Sequence, residues 1–373
     1  MSEIIRVLIV DDSAMMRRAI KQILETDSSI LVVGSARDGE DALKKDEELS
    51  PDVITMDINM PVMDGVTSMM HLLEQHPAVR IIMLSSLTQD GAMTTFEALE
   101  LGAFDYVAKP SGTVSANLHV IGKELVEKVK IAAQTKRNRR QTRERFSPIK
   151  QSAKQPVKQQ QPVAVKKTEL KTQIMDGLSA FRKIVVIGVS TGGPATLMEI
   201  IPELPADLDA TVIIVQHMPP TFTGSFAKRL DENSRLKITE GKAGDVLTKG
   251  CAYVAPGGIH LVIRKNLARD EWLIRLTTLP EETLFTPSVD VTMKSIVEVF
   301  GRRTVGVLLT GMGSDGADGM VAIRQAGGVT IAEDESTAVV FGMPREAIER
   351  GGAEIVVPSY QVAKEILKAI KRA

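Results

Sequence analysis

The sequence predicts two α/β domains, each a doubly wound parallel sheet, joined by a flexible basic linker. The chain of 373 residues is long enough for two hydrophobic cores. In both halves, short aliphatic runs alternate with amphipathic segments of helical length, which is typical of parallel strands covered by helices. A basic stretch with several prolines separates the halves. We therefore predict one domain over residues 1–132, a linker over 133–180 and a second domain over 181–373.

Five aliphatic runs in the first half predict the strands of one sheet. They are VLIV at 7–10, ILVVG at 30–34, DVITM at 52–56, RIIML at 80–84 and FDYVA at 104–108. Apolar residues at helical spacing lie between some of them, as in SAMMRRAIKQILE and DGVTSMMHLLEQH. This alternation predicts a parallel sheet with helices on both faces.

The linker is recognised by its composition. Residues 136–167 contain eleven Lys or Arg and a single acid, Glu144, together with three prolines and a Gln tract. Such a segment cannot bury enough apolar surface to offset the entropy lost on ordering. It predicts a solvated flexible linker or, alternatively, a basic tether for an acidic partner.

The second half repeats the α/β pattern with a more β-rich middle. KIVVIGV at 183–189, TVIIVQ at 211–216 and TVGVLLT at 304–310 predict parallel strands, and a helix is expected to begin near Thr168. Residues 236–278 suggest hairpins, for example in CAYVAPGGIHLVI. The charge run from Glu333 to Glu335 suggests a solvated helix start.

The overall composition excludes several classes of protein. With 43% hydrophobic and 25% charged residues the chain is typical of a globular protein, and its net charge of -1 predicts no attraction to nucleic acid. A single cysteine, Cys251, cannot form an internal disulfide. No apolar run approaches the roughly 20 residues of a membrane span, and the N-terminal run resembles a first strand more than a signal peptide. We expect a cytoplasmic protein without direct membrane insertion.

Charged and hydroxyl side chains lie at the carboxyl ends of the predicted strands in the first half. Asp11 and Asp12 follow the first strand, Asp57 the third, Ser85 the fourth and Lys109 the fifth. Ligands bind at this edge of a parallel sheet. Three clustered carboxylates repel one another unless a cation such as Mg²⁺ neutralises them, and Lys109 adds a second positive charge. The pattern predicts a Mg²⁺-assisted phosphoryl acceptor site.

The segments VLIVDDS, MDINMPVMDG and YVAKP resemble response-regulator receiver domains, which have a flavodoxin-like fold. The resemblance implies that Asp57 is the phosphoacceptor, with a sensor histidine kinase as the donor. Asp11, Asp12 and the carbonyl of Asn59 would bind Mg²⁺ together with Asp57. Ser85 would be the switch hydroxyl and Tyr106 the switch aromatic residue. Lys109 would contact the phosphoryl group.

The stretch GVSTGG, which follows the strand at 183–189, allows two interpretations. A dinucleotide-binding turn needs a second glycine where Ser190 stands, and an acid at the end of the next strand, where Gln216 and His217 stand instead. A nucleophile turn of the G-x-S-x-G type fits Ser190 better, although the five-residue pattern alone is weak.

Three residues beyond strand ends in the second half can meet as a catalytic set. Ser190 follows the strand at 183–189, His217 the strand at 211–216, and Asp315 the strand at 304–310. A serine hydroxyl needs a base, and the base needs an acid that fixes its tautomer. His260 is the other histidine of this half and is expected to be structural or to line a substrate site. Asp318 is the competing acid, and Asp315 could also be a turn residue.

The segments IGVSTGGP, VQHMPP, APGGIHL, TPSVD, LLTGMGSDGADGM and EDESTAVVFGMPREAI resemble the chemotaxis-specific protein-glutamate methylesterase (CheB) family. Receiver, linker and Rossmann-like esterase domain follow one another in that family, as here. The resemblance implies that Ser190 is the nucleophile, His217 the base and Asp315 its orienting acid. Thr191 and the backbone N–H of Met312 would support the histidine and the oxyanion, and the ester chemistry would need no cofactor.

The resemblance also implies substrates, partners and regulation. The substrates would be methyl-accepting chemoreceptors, from which methanol is released, with deamidation of receptor glutamines as a second activity. The unphosphorylated receiver would cover the esterase cleft until Asp57 is phosphorylated. One departure concerns Thr286, since the family commonly has a basic residue before PSVD. A DNA-binding output and a catalytically inactive adaptor are the alternative functions.

Overall fold

The computed structural model describes residues 4–86, 88–109, 117–135, 183–269 and 271–373. The linker prediction from residue 136 onward and the helix expected near Thr168 lie outside the described residues. The predicted architecture of two doubly wound parallel sheets is confirmed.

The first sheet has five parallel strands in the order β2-β1-β3-β4-β5. Its strands are β1 (Ile5–Val10), β2 (Ile30–Ala36), β3 (Val53–Asp57), β4 (Arg80–Ser85) and β5 (Asp105–Ala108). Its helices are α1 (Ala14–Leu24), α2 (Gly39–Leu49), α3 (Gly65–Gln75), α4 (Gln89–Leu101) and α5 (Asn117–Gln134). Every residue of β3 and β4 is buried, as expected of central strands covered on both faces.

Side-chain caps fix where several of these helices begin. Ser13 accepts from the N–H of Met16, Asp38 from that of Asp41, and Asp64 from that of Thr67. Each cap satisfies an N–H that the first helical turn leaves unpaired. The polar residues after β1 and β3 therefore end a strand and start a helix, which keeps the carboxyl edge of the sheet open.

The second sheet has seven parallel strands in the order β14-β13-β12-β6-β7-β9-β8. The strands are β6 (Ile184–Val189), β7 (Thr211–Gln216), β8 (Lys237–Glu240), β9 (Cys251–Val254), β12 (Thr304–Leu308), β13 (Val329–Glu333) and β14 (Ile355–Val357). The helices are α6 (Gly193–Ile200), α7 (Pro220–Asn233), α8 (Val289–Phe300), α9 (Ala317–Gln325), α10 (Met343–Glu349) and α11 (Ser359–Arg372).

The helices divide between the two faces of this sheet. Alternate residues of β6 belong to two clusters of buried side chains. Val185 and Ile187 pack with residues of α6, α7 and α11, whereas Ile184 and Val186 pack with residues of α8, α9 and α10. Such alternation follows from the two-residue side-chain period of a strand.

An antiparallel hairpin of β10 (His260–Asn266) and β11 (Glu271–Thr277) stands apart from both parallel sheets. The predicted hairpin in CAYVAPGGIHLVI was therefore wrong. Its first strand, β9, pairs in parallel with β7 and β8, and only its second strand enters the hairpin. Both β9 and β10 are buried apolar segments, so the local sequence pattern does not show whether they pair with each other or with other strands.

The two domains share one continuous cluster of buried apolar side chains. Phe96 of α4 lies against Phe222 and Phe226 of α7, with ring centroids 6.1 and 5.3 Å apart. Arg229 of α7 donates to both carboxylate oxygens of Glu100, at 3.0 and 2.5 Å. The first domain thus contacts the face of the second sheet that carries α6 and α7.

In the part of the chain that the structure describes, no helix is both long and apolar enough to cross a bilayer.

Candidate active site

The nucleophile candidate and the base candidate follow neighbouring strands. Val189 pairs with Gln216 at the ends of β6 and β7, so Ser190 and His217 come directly after paired residues. The N–H of Ser190 donates to the carbonyl of Thr310 at 3.0 Å, which ties the serine to the end of β12 as well. Three strand ends thus converge on one rim, as the sequence predicted.

His217 and Asp315 form a hydrogen-bonded pair. Nε2 of His217 lies 2.8 Å from Oδ2 of Asp315, and both side chains are largely buried. Nδ1 of His217 is buried and has no hydrogen-bond partner among the described residues. If Nε2–H donates to the carboxylate, Nδ1 carries the lone pair that can accept a proton.

Four donors converge on the carboxylate of Asp315. Besides His217 these are the hydroxyl of Ser288 at 2.8 Å and the N–H groups of Val289 and Asp290, at 2.7 and 3.0 Å. The two N–H groups open α8, whose N-terminus favours negative charge. Burial would raise the pKa of Asp315, but the hydrogen bonds and the charge of His217 outweigh it and lower that pKa.

An aromatic ring also packs against the face of the His217 imidazole. The ring of Phe285 stacks on His217 with centroids 4.1 Å apart and an angle of 12° between the planes. Neither Phe285 nor Ser288 was predicted from the sequence as a site residue. A usable signal existed for Ser288, because serine before an apolar helical segment is a typical N-cap.

Gln216 joins the turns of the serine and the histidine. Its Nε2 donates to the carbonyl of Ser190 at 2.9 Å and to that of His217 at 3.1 Å. A Cβ on Gly193 would lie 2.2 Å from Oε1 of Gln216 and 2.6 Å from Cγ2 of Val189, so a larger residue there would displace Gln216 or Val189. The sequence analysis treated Gln216 merely as the end of a strand. Its role depends on the pairing of β6 with β7.

The oxyanion candidates lie close to the serine. Among the described residues, the N–H groups of Thr191 and Met312 have no hydrogen-bond acceptor. A Cβ on Gly311 would lie 2.9 Å from Cβ of Ser190, so the segment with Met312 closely approaches the serine. The hydroxyl of Ser190 itself makes no hydrogen bond to a described residue. Catalytic hydrogen bonds often form only when substrate is bound.

Glu333 corrects a sequence-based expectation. It is fully buried at the end of β13, whereas we expected a solvated helix start. Its carboxylate accepts from the N–H of Thr310 at 2.8 Å and from the hydroxyl of Thr337 at 3.0 Å. Burial raises the pKa of Glu333 to about 7.

The alternatives for base and acid lie elsewhere. His260 is buried, and its Nδ1 accepts from the N–H of Ser288 at 3.0 Å. It therefore supports the residue that contacts Asp315. Asp318 is exposed and pairs with Arg350 at 2.7 Å and with Lys294 at 3.9 Å. Thr286 has an exposed side chain, and its carbonyl accepts from the N–H of Gly258 at 3.0 Å.

The carboxyl edge of the first sheet gathers the predicted acidic residues. Oxygens of Asp11, Asp12 and Asp57 all lie within 4.8 Å of one another. Nζ of Lys109 is 2.8 Å from both Asp11 and Asp57. Three convergent carboxylates are a suitable donor set for Mg²⁺. Asp11 and Asp57 are buried and Asp12 is exposed, so the donor set remains open to solvent on one side.

Burial and charge act in opposite directions on this edge. Burial raises the pKa of Asp57, although Lys109 and the N–H of Asn59 oppose the increase. Burial would lower the pKa of Lys109, but its bonds to Asp11 and Asp57 raise it, so the ammonium stays charged. The buried carboxylates are therefore only partly neutralised by the lysine.

The remaining receiver candidates contact helices α4 and α7. The hydroxyl of Ser85 accepts from Thr95 at 2.6 Å and lies 3.2 Å from the carbonyl of Gly91, both in α4. Tyr106 is buried, and its ring stacks on Phe222 with centroids 5.0 Å apart and an angle of 9° between the planes. This stack connects the predicted switch aromatic to α7.

Comparison with known proteins identifies both domains. Residues 7–119 match the response regulator receiver domain family, and residues 185–366 match the CheB methylesterase family. A protein-glutamate methylesterase/protein-glutamine glutaminase of Caldanaerobacter subterraneus subsp. tengcongensis is 51% identical over 99% of this chain and 98% of its own. That of Pyrococcus horikoshii is 41% identical over 98% of this chain and 94% of its own.

Solved structures include the Thermotoga maritima CheB methylesterase catalytic domain, which is 42% identical. It covers 50% of this chain and 97% of its own, with a TM-score of 0.48. The fold and the matches define a response regulator with an enzymatic output domain. The chain belongs to the CheB family, and it is a protein-glutamate methylesterase and protein-glutamine glutaminase.

Proposed function

We propose that this enzyme hydrolyses glutamate methyl esters on methyl-accepting chemoreceptors under the control of phosphorylation at Asp57. The observation that carries the proposal is the His217–Asp315 pair beside the turn of Ser190. The domain limits 1–132, 133–180 and 181–373 are part of the proposal, as is action on the cytoplasmic helices of the receptors.

The ester reaction uses only groups of the protein and water. The Ser190 hydroxyl attacks the γ-carbonyl carbon while Nδ1 of His217 takes its proton. The N–H of Met312, with support from Thr191, stabilises the resulting oxyanion. The imidazolium then returns the proton to the leaving methoxide, and methanol departs. Water attacks the acyl-enzyme by the same route, which regenerates Ser190 and leaves glutamate. A glutamine substrate releases ammonia instead.

Asp315 has a positioning and electrostatic role in this scheme. Its ionised carboxylate holds the Nε2–H tautomer, so that the Nδ1 lone pair faces the reaction. It also stabilises the imidazolium that forms when His217 takes the proton. Because four donors fix the carboxylate, little reorganisation is needed during the reaction.

The receiver edge accepts the regulatory phosphoryl group. Bound Mg²⁺, held by Asp11, Asp12, Asp57 and the carbonyl of Asn59, would neutralise charge on the carboxylates and on the phosphoryl oxygens. An Asp57 oxygen attacks the phosphorus of the phosphohistidine of a chemotaxis sensor kinase, the P–N bond breaks, and the kinase histidine leaves as a neutral imidazole after taking a proton from water. Lys109 contacts the transferred phosphoryl group.

The contact between the domains offers a route for regulation. Tyr106 stacks on Phe222, and α7 begins at Pro220, close in sequence to His217. Reorientation of Ser85 and Tyr106 after phosphorylation would weaken this stack. We expect the population to shift towards a state in which receptor helices reach the rim.

Methanol release from methylated receptor tests the proposal directly. The intact chain with Mg²⁺ and a small phosphodonor is compared with Ser190→Ala and Asp57→Asn. Ser190→Ala is expected to abolish release while Asp57 is still phosphorylated. Asp57→Asn should keep the basal rate and lose the stimulation. Appreciable turnover by Ser190→Ala would exclude Ser190 as the nucleophile, and stimulation of Asp57→Asn would exclude the regulatory scheme.

A further inference from the structure

A groove of about 670 Å³ extends from the candidate active site along α8. Ser288, Asp315 and Phe285 line one end of it, and these residues hold His217. Along one side run Val291, Lys294, Ser295 and Glu298, whose spacing places them on one face of α8. The outer face of the β10–β11 hairpin forms the opposite side.

The groove is open in the presence of the receiver domain. The receiver contacts α6 and α7, which pack on one face of the second sheet. The groove belongs to α8, which packs on the other face. No described residue of the first domain lines the groove, and Val339, whose carbonyl accepts from the hydroxyl of Thr135 at 3.5 Å, is also absent from its lining.

Cations line the groove beyond the active-site end. Arg264 and Arg275 are exposed on the hairpin side, and neither forms an ion pair within the described part of the chain. Arg275 pairs with Val262, two residues from Arg264, so the two like charges are diagonal neighbours on one face. Such neighbours repel each other without an anion. Lys294 is exposed on the α8 side and lies 3.9 Å from Asp318.

The acids beside these cations lie on the α8 side, where Asp290 and Glu298 flank Lys294 at four-residue spacing. Asp290 accepts from the N–H of Gly319 at 2.6 Å and is half-buried. Glu298 lies at the far end of the groove, two helical turns beyond Val291 on α8. The hairpin side of the groove, with Arg264 and Arg275, is therefore its cationic side.

The mouth of the groove is apolar. Leu279 is 63% exposed and Leu284 is 94% exposed, and both belong to the segment between β11 and α8. A pair of exposed leucines beside a cationic groove is suited to an amphipathic helix that carries both apolar and acidic residues.

Spacing along the groove gives the distance of its cations from the end that Asp315 and Phe285 line. Lys294 lies four residues beyond Asp290 on α8, or about 6 Å along the helix. Arg275 lies two residues from Thr277 at the active-site end of the hairpin, or about 7 Å. Arg264 lies roughly another 7 Å along the hairpin, beyond Arg275. These intervals correspond to one and two turns of a bound helix.

We propose that this groove is a specificity site for an acidic helical segment of the substrate. An Asp or Glu one turn from the scissile glutamate contacts Arg275 and Lys294, and one two turns away contacts Arg264. Leu279 and Leu284 pack against apolar side chains of the same helix. The inference rests on the proposed function, because it takes the substrate to be a chemoreceptor helix.

The site also implies an order among substrates. Hydrolysis converts a neutral ester into a carboxylate, so a segment that has already lost methyl groups nearby is more acidic. Such a segment binds the cations more tightly, which favours hydrolysis of esters next to glutamates that have already been demethylated.

The test compares Arg264→Gln/Arg275→Gln with the unaltered chain and with Lys364→Gln, an exposed control on α11. Initial rates of methanol release are measured against methylated receptor concentration at two salt concentrations, with phosphodonor present. Because each exposed ion pair contributes a factor of roughly 1.5 to 5, the double variant should raise KM about three- to tenfold with kcat nearly unchanged. Its KM should also lose most of its salt dependence.

Two controls make the outcome decisive. A small neutral ester, the γ-methyl ester of blocked glutamate, should be hydrolysed equally by all three proteins. Replacement of the receptor acids one and two turns from the ester by Ala should raise KM for the unaltered chain but not further for the double variant. Equal KM and salt dependence in the double variant and the unaltered chain would overturn the proposed role of the groove and leave the proposed function unaffected. Failure of the unaltered chain to release methanol would overturn the proposed function, and this inference with it.

Discussion

The two sheets of this enzyme both bring buried carboxylates to their carboxyl edges, but they treat them differently. At the edge of the first sheet, burial raises the pKa of Asp57, and Lys109 compensates only in part. At the edge of the second sheet, four hydrogen bonds more than compensate for the burial of Asp315, and its pKa is lowered. The first edge therefore retains buried negative charge that an added cation would neutralise, whereas hydrogen-bond donors of the protein stabilise the carboxylate at the second edge.

Glu333 shows that the difference lies in the donors and not in the sheet. It is buried at the carboxyl edge of the second sheet, like Asp315, but among the described residues only two donors contact its carboxylate. Its pKa is raised to about 7. The sign of the shift is thus decided by the donors together with the nearby charges, because His217 lies beside Asp315 whereas Glu199 and Asp334 act on Glu333.

The largest difference between the two sheet edges is expected when divalent cations are chelated, because only the reaction at the first edge should be lost. EDTA is expected to abolish acyl-phosphate formation at Asp57, because its acidic partners would then repel the incoming phosphoryl group. Basal methanol release without phosphodonor should stay within about twofold, since Asp315 is neutralised by protein donors. Parallel measurement of phosphorylation and methanol release checks this. A basal rate of methanol release that falls with EDTA would contradict the view that only the first edge needs an added cation.

Asp315→Asn should lower kcat by about 10³- to 10⁴-fold, as expected when a triad acid becomes an amide. The amide would donate to Nε2 of His217, so the ring proton would move to Nδ1, where the serine needs an acceptor. The measurement is kcat for receptor demethylation. Asp318→Asn is the matched control, because Asp318 is exposed and pairs elsewhere. A larger loss in the control would transfer the role to Asp318.

Glu333 should make stability depend on pH. Because its folded pKa of about 7 lies above the ordinary value of 4.5, its stabilising contribution is complete below 4.5. The contribution falls as pH rises and is lost above about 7, a change on the order of 3 kcal/mol. Denaturant unfolding at pH 5 and 8 should show this decline in the unaltered chain and little of it in Glu333→Gln.

The exposed Glu335 provides the control for that measurement. Glu335→Gln should retain the full decline between pH 5 and 8. If Glu333→Gln also retains it, two donors suffice to keep a buried carboxylate ionised, and the comparison between Glu333 and Asp315 fails.

The smallest effect is expected at the contact between the domains. Arg229→Ala removes a half-exposed bidentate pair with Glu100, worth about 1 kcal/mol, and should raise basal esterase activity about two- to fivefold. Lys228→Ala is the control, since Lys228 pairs with Glu232 of the same helix. Unchanged basal activity in Arg229→Ala would show that this pair does not hold the receiver in place.

Sequence patterns predicted the parts of the two edges that follow directly from strand order. Buried runs ending in Asp57, Ser190 and His217 indicated where parallel strands stop, and such ends lie on one rim. The assignment of β9 was missed, because a buried aliphatic strand fits a hairpin and a parallel sheet equally well. Glu333 was misplaced for a related reason, since a charged run shows nothing about which of its members is covered.

The amino-acid sequence by itself determined the α/β architecture, the open ends of the strands and the residue types that gather there, because these follow from short-range periodicity. Tertiary structure decided how each charge is neutralised. Gln216 joins two turns, and Asp315 accepts from the start of α8, a helix that the hairpin separates in the chain from His217. Contacts between residues far apart in sequence leave no local pattern, yet they set the hydrogen bonds that determine which groups are charged.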